Sequence, residues 1–390
     1  MTTFTAPDLS ALPPMDVPVR VERVREALEG ADALLVTKLV NVRWLTGFTG
    51  SAGMALVRHD RVVLLTDGRY EDQALEQVAA SGLADDVEVA IGRTVEVQTE
   101  LLRDATAGLT HLALEAHAVT WAEQRRLAGA LAPELVPSDG LVDRLRVVKD
   151  DGEIARIEAA AAIATAALAS VGEQLWHRPT EAAFGLALDT EMRRLGASSP
   201  SFETIVASGP NGAKPHHRPS GRTVEAGDLV VLDFGAKVDG YYSDMTRTVC
   251  IGEPTAGQQD LLDVVTDAQA AGVAAVREGR TCREVDAACR DVIASHPKAG
   301  RDWAERFSHG TGHGVGLEIH EDPRLSWAAP EGATLAARSV VTVEPGVYLA
   351  GLGGVRIEDS VVVTTDGCRS LTHAPKDPAW PSAPTTSRTG

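Results

Sequence analysis

Four carboxylates in the second half of the chain fall where charge is hardest to place. Asp233 follows Val230, Val231 and Leu232, and Glu344 follows Val340, Val341, Thr342 and Val343. Both runs read as buried strands, and an ionised carboxylate there is costly unless a cation meets it. For any one of these acids a structural ion pair is a sufficient account. The set is harder to explain that way. Asp233 and Asp244 stand eleven residues apart across a turn, and Glu344 and Glu358 fourteen apart across another. Four converging carboxylates would raise one another's pKa values. Two divalent cations offset that charge, and carboxylates can bridge ions about 3.5–4 Å apart.

The segment SHGTGHGVGLEIHE adds His309, His313 and His320 in a glycine-rich context. Glycine lets backbone and ligand approach closely. One histidine alone would be read as packing, but a cluster of this kind reads as a metal or catalytic loop. Carboxylates with an imidazole and no thiolate suit Mn²⁺, Co²⁺, Zn²⁺ or Fe²⁺, and ligand softness does not choose among them. Upstream, SGPNGAKPHHRPSG places His216 and His217 before the first acidic strand, where either could equally be a solvated loop residue.

The elements that carry these residues repeat. A helix preceded by Pro179, capped by Thr180 and stopped at Gly196 leads, after a glycine-rich loop, into GDLVVLDFG and YYSDMTRTVC. A second helix opens on Thr281 with Glu284 three residues on, a capping box, and leads into RSVVTVEPG and GVRIEDSVVV. We read two hairpin-like cassettes, each presenting one carboxylate per strand, as an internal duplication whose half-sites face each other. Ahead of them lies the long Ala-rich helix EIARIEAAAAIATAALASVGEQL, with a domain boundary near 145–155. Before the boundary, ALLVTK, GMALVRH, RVVLLTD, VEVAIG and LALEA read as short strands, with helices over PVRVERVREALEG, YEDQALEQVAA, VEVQTELLRDA and WAEQRRLAGAL. The expected organisation is an α/β domain over 18–148, an α+β domain over 151–372, and flexible ends at 1–17 and 373–390.

Length and composition fit this. A chain of 390 residues suggests two domains, and 44% apolar residues can fill their cores. An excess of 55 acidic over 37 basic residues gives a formal charge of −18, which disfavours a nucleic-acid partner. No uninterrupted apolar run approaches the roughly 20 residues that span a bilayer, and the N-terminus has no signal-peptide pattern. The four cysteines suit a reducing cytoplasm; Cys282 and Cys289 lack the second pair that a zinc site of this type needs.

The stretches ASGPNGAKPHH, VVLDFGAKVDGYYSDMTRT, HGTGHGVGLEIHE, TVEPGVY and GVRIEDSVVV, with NVRWLTGFTGSAGMALV and LTDGRY upstream, resemble the pita-bread metallopeptidases: Xaa-Pro aminopeptidases, prolidases and, more distantly, methionine aminopeptidases. The resemblance covers the chain from about 18 to 372. It implies a creatinase-N-like first domain and a pita-bread second domain with pseudo-twofold symmetry. It implies two divalent ions, Mn²⁺ first among the candidates, with Asp233 on one, Asp244 and Glu358 bridging, and His313 and Glu344 on the other. His320 and His216 would contact substrate, and His217 would be incidental. Arg356 would act behind the ligands or hold the substrate end. Thr246 and Tyr242 are expected to steady ligands. Glu344 would carry a proton from water to the leaving amine. The expected substrate is a peptide with proline second. LTGFTGSAG tilts the reading to an aminopeptidase over a dipeptidase. A creatinase-like or lyase relative and a non-catalytic binding module are disfavoured by the intact ligand set. A homodimer is expected on the same resemblance.

Overall fold

The computed structural model describes residues 4–381. The chain divides into two compact units, Pro14–Arg146 and a second made of Met1–Pro13 with Val147–Gly390.

The first unit is built on a six-stranded mixed sheet in the order Val87–Ile91, Val62–Thr66, Gly53–Arg58, Ala33–Val36, His111–Glu115, Glu134–Ser138. The outer pairs are parallel and the two pairs made by Gly53–Arg58 antiparallel. Leu35, Leu56, Leu65, Leu112 and Leu114 form its core with Leu102 and Leu127 from the covering helices. The strand Glu134–Ser138 escapes the sequence pattern because Pro137 interrupts it. Proline is tolerated there because the strand is at the edge of the sheet. The short helix Leu39–Thr46, inside the NVRWLTG stretch, is also unanticipated; it stops at Gly47, whose φ of 75° places it in the left-handed region.

The second unit carries its own repeat. Helices Asp151–Val171 and Glu181–Arg194 precede strands Leu229–Phe234 and Met245–Cys250; helices Ala256–Ala275 and Cys282–Ser295 precede strands Val340–Val343 and Asp359–Val363. In each half the two long strands pair antiparallel around a small hairpin. Each half also has an isolated bridge from its second helix's cap, Thr180 to Thr223 and Thr281 to Thr334. The apolar core is doubled too: one cluster draws on Phe184, Leu188, Leu232 and Val249, the other on Leu261, Val285, Val341 and Val361. The helix Ala256–Ala275 is the member of the repeat not read from sequence, although Thr255 and Gln258 form its capping box.

Asp151–His177 is long and apolar enough to cross a membrane by composition, but 67% of its most apolar 18-residue window is buried inside the protein, as a core helix would be. The expectation of flexible ends is corrected for the described residues. Leu9, Leu12 and Trp380 pack against the first core cluster, and Phe4 meets Trp380 edge-on at 5.8 Å. Apolar anchors spaced among the prolines give these segments something to bury, which composition alone hides. Residues 1–3 and 382–390 lie outside the described residues. Cys282 and Cys289 are buried core residues, and burial pushes the Cys289 thiol up to about 12.

Candidate metal centre

The two halves place their carboxylates at equivalent points. Asp233 sits near the end of Leu229–Phe234 and Glu344 directly after Val340–Val343; Asp244 and Glu358 each directly precede the second strand of their half. The expectation of one carboxylate per strand is therefore corrected. Only Asp233 lies within a strand, and the other three occupy the breaks beside strands. There a side chain is not tied to the alternation of the pleat.

These breaks bring the acids together. One oxygen from each of Asp233, Asp244 and Glu358 lies within 4.8 Å of the others. His313 joins from the strand Gly312–Gly314: its Nε2 is 3.6 Å from Asp244 Oδ2 and 3.4 Å from Glu344 Oε1. Its Nδ1 faces the Gly314 carbonyl at 3.0 Å, which fixes the tautomer that leaves Nε2 free as a ligand. Burial holds the imidazole down at about 3, so it is neutral, the form a metal needs. Burial, then the charges of Glu358, Asp233 and Glu344, push the Asp244 carboxyl well above its ordinary value. Burial pushes Glu358 the same way and Glu344 up to about 8, against the pull of Arg356. One guanidinium cannot neutralise four carboxylates.

Two oxygens test whether cations fit. Asp233 Oδ2 accepts from Arg356 and Glu358 Oε2 accepts from Thr246, whereas Asp233 Oδ1 and Glu358 Oε1 are buried without a hydrogen-bond partner. A buried acceptor left bare is unusual in a native protein. Here the bare oxygens belong to two members of the clustered triad. The donor set fits divalent metal.

The groups behind the ligands form a continuous network. Arg356 is buried and donates to Asp233 Oδ2 at 2.6 Å, Thr246 Oγ1 at 3.1 Å, the Tyr348 hydroxyl at 2.9 Å and the Pro215 carbonyl at 3.2 Å. Of the two expectations for Arg356, this geometry favours the place behind the ligands: its donors are engaged by the protein. His309 does not reach the carboxylates. It meets the Tyr348 hydroxyl at 2.8 Å and the Gly310 carbonyl at 2.8 Å, and burial holds it down at about 4. Thr246 lies against Glu358 as expected. Tyr242 does not steady a ligand: its hydroxyl accepts from Lys237 at 2.9 Å. Thr342 takes that place, accepting from the His313 amide and donating to Glu344 at 3.2 Å, and Tyr348 stands one step further back, accepting from Arg356. Both sit within four residues of Glu344 on flanking strands, a signal the sequence offered.

The carboxylates and His313 open into a cavity of about 680 Å³ lined by His216, His320, Phe202, Ile205, Ile319 and Arg324, among others. That volume suits a small molecule. His320 faces His313 edge-on with ring centroids 4.4 Å apart. Its loop is tied down by Glu321, which accepts from the Glu318 amide and pairs in the interior with Lys149 at 3.0 Å. His216 rides on a loop fixed by the fully buried Glu181, which accepts from Ser208, Asn211, His217 and Ser220. His217 is thus no incidental residue: its Nε2 lies 2.9 Å from Glu181 Oε2 and anchors its neighbour. Arg324 is a charged cavity residue that sequence reading missed. It pairs directly across the strands with His313, so both side chains share one face.

Comparison with known proteins agrees with this geometry. Residues 155–365 match the family model for metallopeptidase family M24, and residues 20–148 that for the creatinase/prolidase N-terminal domain. An uncharacterized peptidase of Bacillus subtilis is 40% identical over 92% of this chain and 99% of its own length. Among solved structures, an Xaa-Pro dipeptidase from Bacillus anthracis is 37% identical with a TM-score of 0.85, covering 93% of this chain and 99% of that one. An X-Pro aminopeptidase from Thermotoga maritima is 33% identical with a TM-score of 0.83, covering 91% and 98%.

Proposed function

From the premise that the chain belongs to metallopeptidase family M24 and is a metallopeptidase, we propose that it hydrolyses the peptide bond preceding proline, with two divalent ions held by Asp233, Asp244, His313, Glu344 and Glu358. The observation that carries this is the pair of bare, buried oxygens, Asp233 Oδ1 and Glu358 Oε1, inside a carboxylate cluster. When bound, the ions would supply an activated water and polarise the scissile carbonyl. Mn²⁺ is the ion proposed; Co²⁺, Zn²⁺ and Fe²⁺ suit the same donors.

The chain's own groups do the rest. Glu344 takes the proton of the attacking water and delivers it to the departing proline nitrogen. His320 and His216, at the cavity wall, donate to the carbonyl oxygen as negative charge builds there. The tertiary amide before proline offers no N–H, so recognition falls to shape and to the peptide's ends. Phe202, Ile205 and Ile319 supply apolar surface in the same cavity.

The sequence stretch LTGFTGSAG favours an Xaa-Pro aminopeptidase, which releases the first residue from longer peptides. One observation favours the dipeptide: the Arg324 guanidinium at the cavity wall suits a free proline carboxylate. Hydrolysis of Ala-Pro and of Ala-Pro-Ala by the Mn²⁺-loaded protein, followed by chromatography, separates the two. Cleavage of the dipeptide alone assigns a dipeptidase, and cleavage of the tripeptide an aminopeptidase. Cleavage of neither by metal-loaded protein overturns the proline reading. The homodimer expected from the resemblance is part of this proposal, and a monomer by light scattering at micromolar concentration would remove it.

A further inference from the structure

Behind the metal centre lies a cluster that the proposed reaction does not use. Arg247 follows Thr246 in the chain and is buried. Its guanidinium donates to the carbonyls of Thr246 at 2.8 Å and Glu358 at 2.5 Å, to Asp359 Oδ1 at 2.8 Å, and to the carbonyls of Ala374 at 2.7 Å and Pro375 at 3.1 Å. One side chain thus ties the strand of the first half to the backbone of Glu358 in the second, and ties both to the C-terminal segment. Asp359 is buried beside Glu358 and is saturated from the same direction. Thr372 donates to Oδ1 at 2.7 Å, and Lys376 Nζ lies 2.6 Å from Oδ2. Lys376 also donates to Gln269, which in turn donates to Asp359.

The consequence falls on Glu358. Its N–H donates to the Thr246 carbonyl at 3.2 Å and its C=O accepts from Arg247, so its backbone is gripped on both sides. That grip aims Oε1 into the carboxylate cluster. Arg247 can hold this geometry only while its remaining donors have acceptors. Those acceptors are the carbonyls of Ala374 and Pro375. The segment carrying them is pinned further on: the Cys250 amide donates to the Pro378 carbonyl at 2.8 Å, and Trp176 Nε1 donates to the Pro381 carbonyl at 3.1 Å.

We infer that residues 372–381 form a strap that fixes Glu358 for metal binding, with Lys376 as a positioning residue acting through Asp359 and Arg247. This rests on the two-metal reading. Lys376 is the informative position because its side chain is partly exposed, at 36%, and reaches neither ligand nor cavity. Groups that orient metal ligands from behind typically change affinity 10–100-fold when removed.

The test uses the full chain, stripped with a chelator and titrated with Mn²⁺ by calorimetry, with Lys376→Met and Lys376→Arg beside wild type. Lys376→Met is expected to bind Mn²⁺ on the order of tenfold more weakly. Its KM for whichever of Ala-Pro and Ala-Pro-Ala the wild type cleaves should be unchanged, and its lost kcat recovered at saturating Mn²⁺. Lys376→Arg should restore affinity, and the metal-free Tm should stay close to wild type in both. Wild-type affinity in Lys376→Met overturns the strap, as does a fall in metal-free Tm with unchanged affinity. Wild-type protein that binds no Mn²⁺ overturns the two-metal reading and this inference with it. Wild type and Lys376→Met binding two ions equally well overturn the strap alone.

Discussion

The hydroxyl of Thr246 donates to Glu358 Oε2 across 2.7 Å and leaves Oε1 of the same carboxylate without a partner. The same hydroxyl accepts from Arg356 Nε at 3.1 Å, and Arg356 grips Asp233. One oxygen atom therefore sets the directions of two carboxylates that come from opposite halves of the repeat. Thr246→Val keeps the shape and removes the oxygen. It should weaken Mn²⁺ binding by roughly 10–100-fold, read by calorimetry, while Thr246→Ser stays near wild type. Wild-type affinity in the valine variant would show that strand geometry alone aims the ligands.

Stability of the metal-free protein should depend on pH through the same cluster. Glu344 titrates at about 8 when folded, above its ordinary 4.5, and Asp244 and Glu358 are raised as well. A raised carboxyl contributes stability that is full below its unfolded value and is lost as pH climbs through its folded value. His313, held at about 3, works in the opposite sense, but its contribution is complete above the usual histidine value near 6.5. From pH 6.5 to 8 the carboxylates act alone. Metal-free Tm should fall across that window, and added Mn²⁺ should remove the decline by binding the ionised form. A flat metal-free profile from pH 6.5 to 8 would contradict the clustering of the acids.

The repeat and its converging acids were legible because burial and charge conflict in the sequence itself: Asp233 and Glu344 interrupt runs that otherwise have every reason to be dry. Thr281 and Glu284 announced their helix by local chemistry alone. Tyr348 and Thr342 were signalled only by their nearness to Glu344, and Arg324 was hidden because its role depends on which strand lies across from which. Arg324 is eleven residues from His313 in sequence and its direct partner in register. His217 looked solvated because its partner, Glu181, is 36 residues away. The C-terminal segment looked loose because prolines mask the few apolar anchors and the backbone carbonyls that Arg247 needs.

Arg324 gives a prediction about substrate length. Its side chain shares a face with His313, and its charge helps to hold the His320 imidazole down, after burial. Arg324→Gln should lower kcat/KM for Ala-Pro by roughly 10–100-fold, the range of a lost charge-assisted hydrogen bond of about 1.5–3 kcal/mol. Ala-Pro-amide, which has no carboxylate, should be cleaved equally by the variant and by wild type. Equal losses on both substrates would mean that Arg324 acts on the histidines and does not hold the substrate's end.

Gly312 limits how closely His313 can be carried toward Glu344. A Cβ at Gly312 would lie 1.9 Å from the Thr342 carbonyl oxygen, and backbone cannot step aside as a flexible side chain can. Gly312→Ala must separate the His313 strand from the strand Val340–Val343 that leads into Glu344. The expected loss is about 1–3 kcal/mol in urea unfolding, the usual cost of overpacking. Mn²⁺ affinity should fall with it because the His313 Nε2 to Glu344 Oε1 spacing of 3.4 Å is disturbed.

Glu181 should support the His216 loop in a way that acid can undo. Burial alone would raise its carboxyl, but hydrogen bonds from Ser220, Ser208 and Asn211 outweigh that and hold it down at about 2, against an ordinary 4.5. A depressed carboxyl contributes stability that is present above its unfolded value and is lost as pH falls toward its folded value. The difference amounts to about 3 kcal/mol at neutral pH. Glu181→Gln presents an amide N–H₂ to donors already aimed at an oxygen, so it should lose much of that stability at pH 7. Denaturant unfolding should show wild type weakening between pH 4.5 and 2, with the variant weakening less over the same range. With metal saturating, the variant should cleave Ala-Pro with raised KM, because His216 is then carried by a loop that no longer has its buried anchor. Unchanged KM together with the predicted stability loss would assign Glu181 to the fold alone and leave His216 positioned by the Pro215 carbonyl contact with Arg356.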